Sequence, residues 1–235
     1  DYTIYPSESN VTSKAVVEPY NTALALSSLL DHSDVSFTLS NDKIYRQGRI
    51  CLDIAHPNFY NMNQLIAQAI CNITVNMRFG GSMLYNLGSF LSSLVPFPRI
   101  NASLVSLSPI SSTERVCFPP QLFRTSDFIK EITKEKCCLT NCNPENGKFM
   151  SLNLGFRGSL EPRETLAAMN SVRTCKDIRL AGWCPTEITC QANYQRIRVV
   201  PGGDLGTTPR SITMLAVSTS FLQVLTPLDR KIKLM

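Results

Sequence analysis

Apolar positions along the chain recur with two different periods, and the alternation between them predicts an α/β protein. Tyr2 and Ile4 alternate with polar neighbours and read as a strand entered partway, followed by a polar loop from Pro6 to Lys14. Pro19-Tyr20-Asn21 leads into an apolar-rich helix ending near Leu30. Val35 to Leu39 alternates with period two, and Ser40 or Asn41 can cap a helix over roughly Asp42 to Leu52. The strongest helical pattern follows Pro57. Phe59, Met62, Ile66, Ala69, Ile70, Ile73 and Met77 recur at three-and-four spacing, while Asn61, Gln64, Gln68, Asn72 and Asn76 fill the opposite stripe. A helix of about 20 residues is about 30 Å long, enough to connect two lobes.

Beyond that helix, Gly80-Gly81 and Gly88 mark a turn, a short helix runs to Leu94, and Val95-Pro96-Phe97-Pro98-Arg99 is rigid. The pattern then predicts a strand near Ala102 to Leu107, a helix near Ser126 to Thr133, a turn at Asn143 to Gly147 and a strand from Lys148 to Leu154. A helix opens with Pro162 and runs to about Ser171. Strands near Ile178 to Ala181 and Ser211 to Val217 flank a long loop containing Pro201-Gly202-Gly203-Asp204, and a last helix continues towards Met235. Periodicity alone gives two lobes with a helix between them, and no function.

Composition narrows the classes. The chain has 235 residues, 43% hydrophobic and 17% charged, enough for a sizeable core and too apolar for disorder. No apolar run approaches the ~18 residues of a membrane span, and the first residues lack the basic start and apolar run of a secretory signal. The net charge of +5 is spread out, with no basic block beyond Arg230 to Lys233 and no aromatic platform, which argues against nucleic acid as a partner. Nine cysteines form no Cys-x-x-Cys pair, and the only histidines, His32 and His56, lie far from Cys137-Cys138-x-x-x-Cys142, so zinc spacing is absent. The odd count fits reduced thiols in the cytoplasm. Against this stand three N-glycosylation sequons, at Asn10, Asn72 and Asn101, which keep a secreted glycoprotein as an alternative.

Function enters through ordered motifs. Ile4-Tyr5-Pro6 is followed by Val16-Val17-Glu18-Pro19-Tyr20-Asn21, then Asp31-His32-Ser33-Asp34, then Asn41 with Ile44-Tyr45. Arg78-Phe79, Leu94-Val95-Pro96-Phe97-Pro98-Arg99-Ile100, Gly147-Lys148-Phe149-Met150 and Phe156-Arg157-Gly158 come next. Trp183-Cys184-Pro185-Thr186, Asn193-Tyr194-Gln195 and Val199-Val200-Pro201-Gly202-Gly203-Asp204-Leu205 close the series. In order and spacing the chain resembles the tubulins, and the last block resembles the α class. The resemblance implies a fragment: a partial Rossmann-like GTPase domain over 1–57, a core helix over 58–78, a mixed-sheet intermediate domain over 79–217, and the start of a C-terminal helical region over 218–235. The phosphate-binding loop of tubulins would lie before residue 1, and Gly202 to Gly206 is no substitute, having no strand-turn-helix context.

The resemblance also implies a nucleotide site for GTP, with Mg supplied through the missing N-terminal part. Glu18 matches the ribose-contacting carboxylate, Asn41 the asparagine at a helix start, and Asn63 the one on the core helix. An amide can donate and accept at once, which complements guanine. Phe59 replaces the Tyr that stacks on the base and keeps its π face. Phe59 and Asn63, four residues apart, project from one helix face. Lys14 takes the place of a family Thr near the nucleotide, and the loop from Pro6 is longer than the family's. Either Ser13 or Thr12 supplies the hydroxyl, or Lys14 contacts phosphate, or the contact is lost; a solvated loop lysine is the plain alternative.

Two departures follow. α-Tubulins carry a Glu eleven residues beyond the Arg of Arg-Phe, which reaches the neighbouring β subunit's GTP and activates the hydrolytic water. Counting from Arg78, that place holds Ser89, and no acid occurs between Arg78 and Arg99. A serine hydroxyl is no useful base near neutral pH, so no catalytic residue is expected here. Pro227 stands where the family's helix continues; an interior proline kinks a helix, so either this surface differs from an ordinary α subunit's or the chain is simply relaxed there. The implied role is a structural, GTP-binding α subunit of microtubules in the cytoplasm and cytoskeleton. β-Tubulin is the implied partner, and microtubule-associated proteins are admitted as further ones; neither nucleic acid nor membrane is. A degenerate tubulin that binds without polymerising is the alternative.

Overall fold

A computed structural model describes residues 1–6, 17–80, 86–113, 125–159, 161–175, 178–183 and 188–234. Six strands form one mixed sheet: β1 (Tyr2–Tyr5), β2 (Ser36–Ser40), β3 (Ala102–Ser108), β4 (Phe149–Gly158), β5 (Thr189–Asn193) and β6 (Arg210–Ser218). Their order is β1-β2-β3-β6-β4-β5. The pairs β1–β2, β2–β3 and β4–β5 are parallel, and β6 runs antiparallel to both its neighbours. Among the described residues there are eight α-helices: α1 (Glu18–His32), α2 (Asn41–Cys51), α3 (Phe59–Ile73), α4 (Val75–Arg78), α5 (Leu87–Leu94), α6 (Thr125–Ile132), α7 (Pro162–Thr174) and α8 (Leu222–Leu234). This is the mixed α/β fold the sequence implied.

The helices cover both faces of the sheet. Leu39, Ile44, Leu65, Leu94, Val105, Leu107 and Leu215 join α2, α3 and α5 to one face. On the other face, Ile129, Ile132, Ala168 and Val172 of α6 and α7 meet Leu152, Leu154, Phe156, Ile212 and Met214. Tyr5, Leu104, Cys138, Cys142 and Val224 form a smaller cluster. Because side chains alternate along a strand, β4 sends Leu152, Leu154 and Phe156 into the second core, leaving Ser151, Asn153 and Arg157 for the α3 and α5 side. Gly158 allows β4 to end against β6: its φ is +111°, and a Cβ there would sit 2.0 Å from the Pro209 carbonyl oxygen.

Three expectations need correction. The long helix is interrupted at Thr74, where α3 stops and the short α4 begins; Thr74 Oγ1 donates to the Ile70 carbonyl and accepts from Arg78 Nε, which competes with a regular helix there. Ile178 to Ala181 forms no strand, only a bridge from Leu180 to Phe149, whereas the polar stretch Thr189–Asn193 is a true one. Ser40 stands at the cap of α2, but its hydroxyl makes no capping bond. At the far end Pro227 lies inside α8. The cost is one helical hydrogen bond, since Pro has no N–H to offer the Gln223 carbonyl.

Much of the polar stripe of α3 and α4 is buried, and several of its amides bond to distant segments, while the Gln64 and Asn72 amide nitrogens and the Gln68 amide oxygen find no partner among the described residues. Asn61 donates to Asp204, Arg157 Nη1 donates to Asn72 Oδ1 at 2.7 Å, Asn76 donates to Gln191, and Asn193 donates to Asn76 at 3.1 Å. Asn72 and Asn101 are 6% and 3% exposed, and the Asn101 amide donates to the Ser33 carbonyl, so neither sequon can take a glycan in the folded chain. Asn10 lies outside the described residues. Among those residues the cysteines form no disulfide, and no group of three His, Cys, Asp or Glu could hold a metal. Cys137, Cys138 and Cys142 are buried, and burial pushes the Cys137 thiol up to about 12. No described helix is long and apolar enough to cross a membrane.

Candidate functional site

The parallel strands β1 and β2 set up one edge of the candidate site. Ser40 ends β2 and Asn41 begins α2 directly after it, while β1 ends at Tyr5 beside Ser40 and the chain returns to start α1 at Glu18. Ligands of open α/β sheets gather at the carboxyl ends of parallel strands, where helix N-termini converge. Glu18 and Asn41 thus open the two helices that follow these strands. The Glu18 carboxylate is largely covered and pairs with Lys231 of α8 at 3.7 Å. Lys231 stands in the basic block Arg230 to Lys233, but nothing in that block points to Glu18; only the packing of α8 on α1 brings the two together.

A second group sits on α3. Asn58 caps this helix by accepting from the Asn61 backbone N–H at 3.0 Å, while Asn61 Oδ1 accepts from the Asn58 N–H at 2.8 Å. That reciprocal box fixes the first turn, buries Asn61 and Met62, and turns Phe59 outward, 68% exposed. Asn63, one turn on, is exposed on the same face. Among the described residues the side chains of Asn41, Phe59 and Asn63 make no hydrogen bond, ion pair or ring contact. An unengaged aromatic face beside an unengaged amide suits a planar heterocycle with a polar edge, through stacking and paired donor-acceptor bonds. α3 packs on α2, the helix that Asn41 opens, and Pro57 lies against Gly48. Ser13 and Lys14 fall outside the described residues.

Ser89 occupies a different surface, the first turn of α5. Asn86 caps α5 by accepting from the Ser89 N–H at 2.8 Å, and Ser89 is exposed. Just past the other end of α5, Phe97 packs on Trp183 with ring centroids 5.4 Å apart, each ring 53% exposed. A solvent-facing aromatic pair of this kind is typical of protein contact surfaces. The end of α5 therefore offers contact area, and its beginning offers no acid or base.

The family model described as the tubulin C-terminal domain matches residues 98–230. The chain is similar to the tubulin alpha-1B chain of Physarum polycephalum, 37% identical over 235 residues, covering 100% of this chain and 51% of that relative. The tubulin alpha-2B chain of the same organism is also 37% identical over 235 residues, covering 51% of its length. The tubulin alpha chain of Trypanosoma cruzi is 39% identical over 234 residues, again covering 51% of its length. The chain thus spans about half the length of the curated relatives it matches.

Proposed function

The chain belongs to the tubulin family, and from that membership we propose that it acts as an α-type subunit, a structural, GTP-binding constituent of microtubules. In this reading it pairs head to tail with β-tubulin and resides in the cytoplasm, in the cytoskeleton. The observation that carries the reading is the outward pair on α3, Phe59 and Asn63, left unengaged among the described residues. Phe59 stacks on the guanine, Asn63 and Asn41 bond its polar edge, and Glu18 accepts from the ribose hydroxyls while held in place by Lys231. Ser13 and Lys14 belong to the same proposal on the phosphate side. So does the division of the chain into a GTPase part over 1–57, a core helix over 58–78, an intermediate domain over 79–217 and the start of the helical region over 218–235.

The subunit does not stimulate hydrolysis in its β neighbour. That task needs a carboxylate positioned to activate water at the phosphate, and Ser89 brings a hydroxyl in a segment, Arg78 to Arg99, whose sequence holds no acid. Coassembly with β-tubulin, followed by phosphate release from the polymer, tests both halves of the proposal. The expected result is incorporation into the pellet with release slowed at least about 100-fold per subunit contact. An ordinary release rate would defeat the claim about Ser89, and absence from the pellet would defeat the structural role. In the second case, binding to unassembled tubulin would favour the non-polymerising reading, to which the proline inside α8 lends support.

A further inference from the structure

A cavity of about 500 Å³, whose lining includes neither Phe59 nor Asn63, opens between α2, the end of β3 and the segment after α6. This volume is in the range of sites that hold small organic molecules. Its walls are tied together rather than merely adjacent. Gln47, 4% exposed, donates from one amide nitrogen to the carbonyls of Lys136 and Cys138, at 3.2 and 2.9 Å. One turn earlier on α2, Lys43 pairs with Glu135 of the opposite wall. A cavity whose walls are bonded across is preformed, so a ligand need not pay to order it.

The charges around the cavity do not cancel. Lys43 is matched by Glu135 and Lys136 by Glu131, both as direct ion pairs. Arg46, also on the lining, is exposed and makes no ion pair or hydrogen bond with any described residue. Cys137 adds no negative charge, because burial keeps its thiol neutral. The apolar part of the lining includes Ile50, Leu107, Pro109 and Ile110, and Ile50 is 76% exposed with no core to cover it. An apolar body between Ile50 and Ile110 with an anion at Arg46 answers both features.

We infer that this cavity is a binding site for small amphipathic carboxylates, held by Arg46 through the anion and by Ile50 and Ile110 through the apolar body. The test uses the whole 235-residue chain and 2-naphthylacetate, titrated by calorimetry, with the neutral 2-naphthylacetamide in parallel. Saturable binding below about 1 mM is expected. The amide, Arg46→Glu and Ile50→Asp should each weaken it about tenfold, as losing one charged or apolar contact does. Both substitutions fall on exposed side chains, so the fold should survive them, and circular dichroism checks that it does. No saturable binding, or equal affinity for the amide or in either variant, overturns the assignment.

Discussion

α3 and α5 open with the same device and present opposite chemistry. In each, an asparagine stands before the first turn and its side chain accepts from the backbone N–H three residues on, Asn61 in one case and Ser89 in the other. The cap fixes where the next side chains point. On α3 it delivers Phe59 and Asn63 to the surface, an aromatic face and an amide that can serve a base. On α5 it delivers Ser89, which can serve neither as acid nor as base. Helix placement and surface chemistry are therefore separable: the same cap presents an aromatic face and an amide on one helix and a hydroxyl on the other.

The sharpest way to use this contrast is to restore what α5 lacks. Ser89→Glu puts a carboxylate at the third helical position, where it also suits an asparagine cap and the positive end of the helix dipole, so stability should hold or rise slightly. Phosphate release from polymer containing the variant should increase at least about 100-fold over the parent chain. An unchanged rate would mean that the α5 surface differs in shape as well as in chemistry.

Next in size is a test of the inner side of α3. Arg157 donates to Asn72 and to the carbonyls of Gln195 and Arg196, at 2.7, 3.0 and 3.1 Å, and is 8% exposed. Arg157→Met keeps the volume and removes all three donors, which should cost about 3 kcal/mol of stability. The denaturant midpoint should fall with the slope unchanged. A midpoint like the parent's would show that the buried polar stripe of α3 contributes nothing net.

The smallest effect concerns the outer side. Asn63→Leu should leave the denaturant midpoint within about 0.5 kcal/mol of the parent, since the side chain is exposed. In a chimera carrying the remaining half of the Trypanosoma cruzi relative, the same change should weaken GTP about tenfold. Loss of stability without loss of affinity would move Asn63 to the structural side of the comparison.

Much of the architecture could be read in advance because it rests on period. β2, β3, β6 and the helices α2 and α5 follow apolar spacing that a buried face imposes, whereas the apolar Tyr2 and Ile4 of β1 and Leu24 and Leu30 of α1 are exposed. The failures share a cause. β5, with the sequence Thr-Cys-Gln-Ala-Asn, is an edge strand whose Gln191 and Asn193 bond to Asn76, so its burial is satisfied by amides and leaves little apolar signal. Leu180, apolar enough to suggest a strand, makes a single bridge. The Asn and Gln stripe of α3 and α4 lies opposite the apolar one in the sequence pattern, and only the distant partners Asp204, Arg157 and Gln191 show that much of it is interior. For the site, the family motifs brought Glu18, Asn41, Phe59 and Asn63 to notice, but Lys231 beside Glu18 depends on helix packing that no local pattern encodes.

β1 lies at one end of the sheet, with Tyr2 and Ile4 40% and 49% exposed, and no described strand pairs with its outer side. Unsatisfied main-chain donors and acceptors along such a rim form a template that any extended peptide can extend. Handled by itself, the polypeptide carries its own glue: crowding decides how long it stays monodisperse, and a Lys or Pro introduced along that rim would be the remedy.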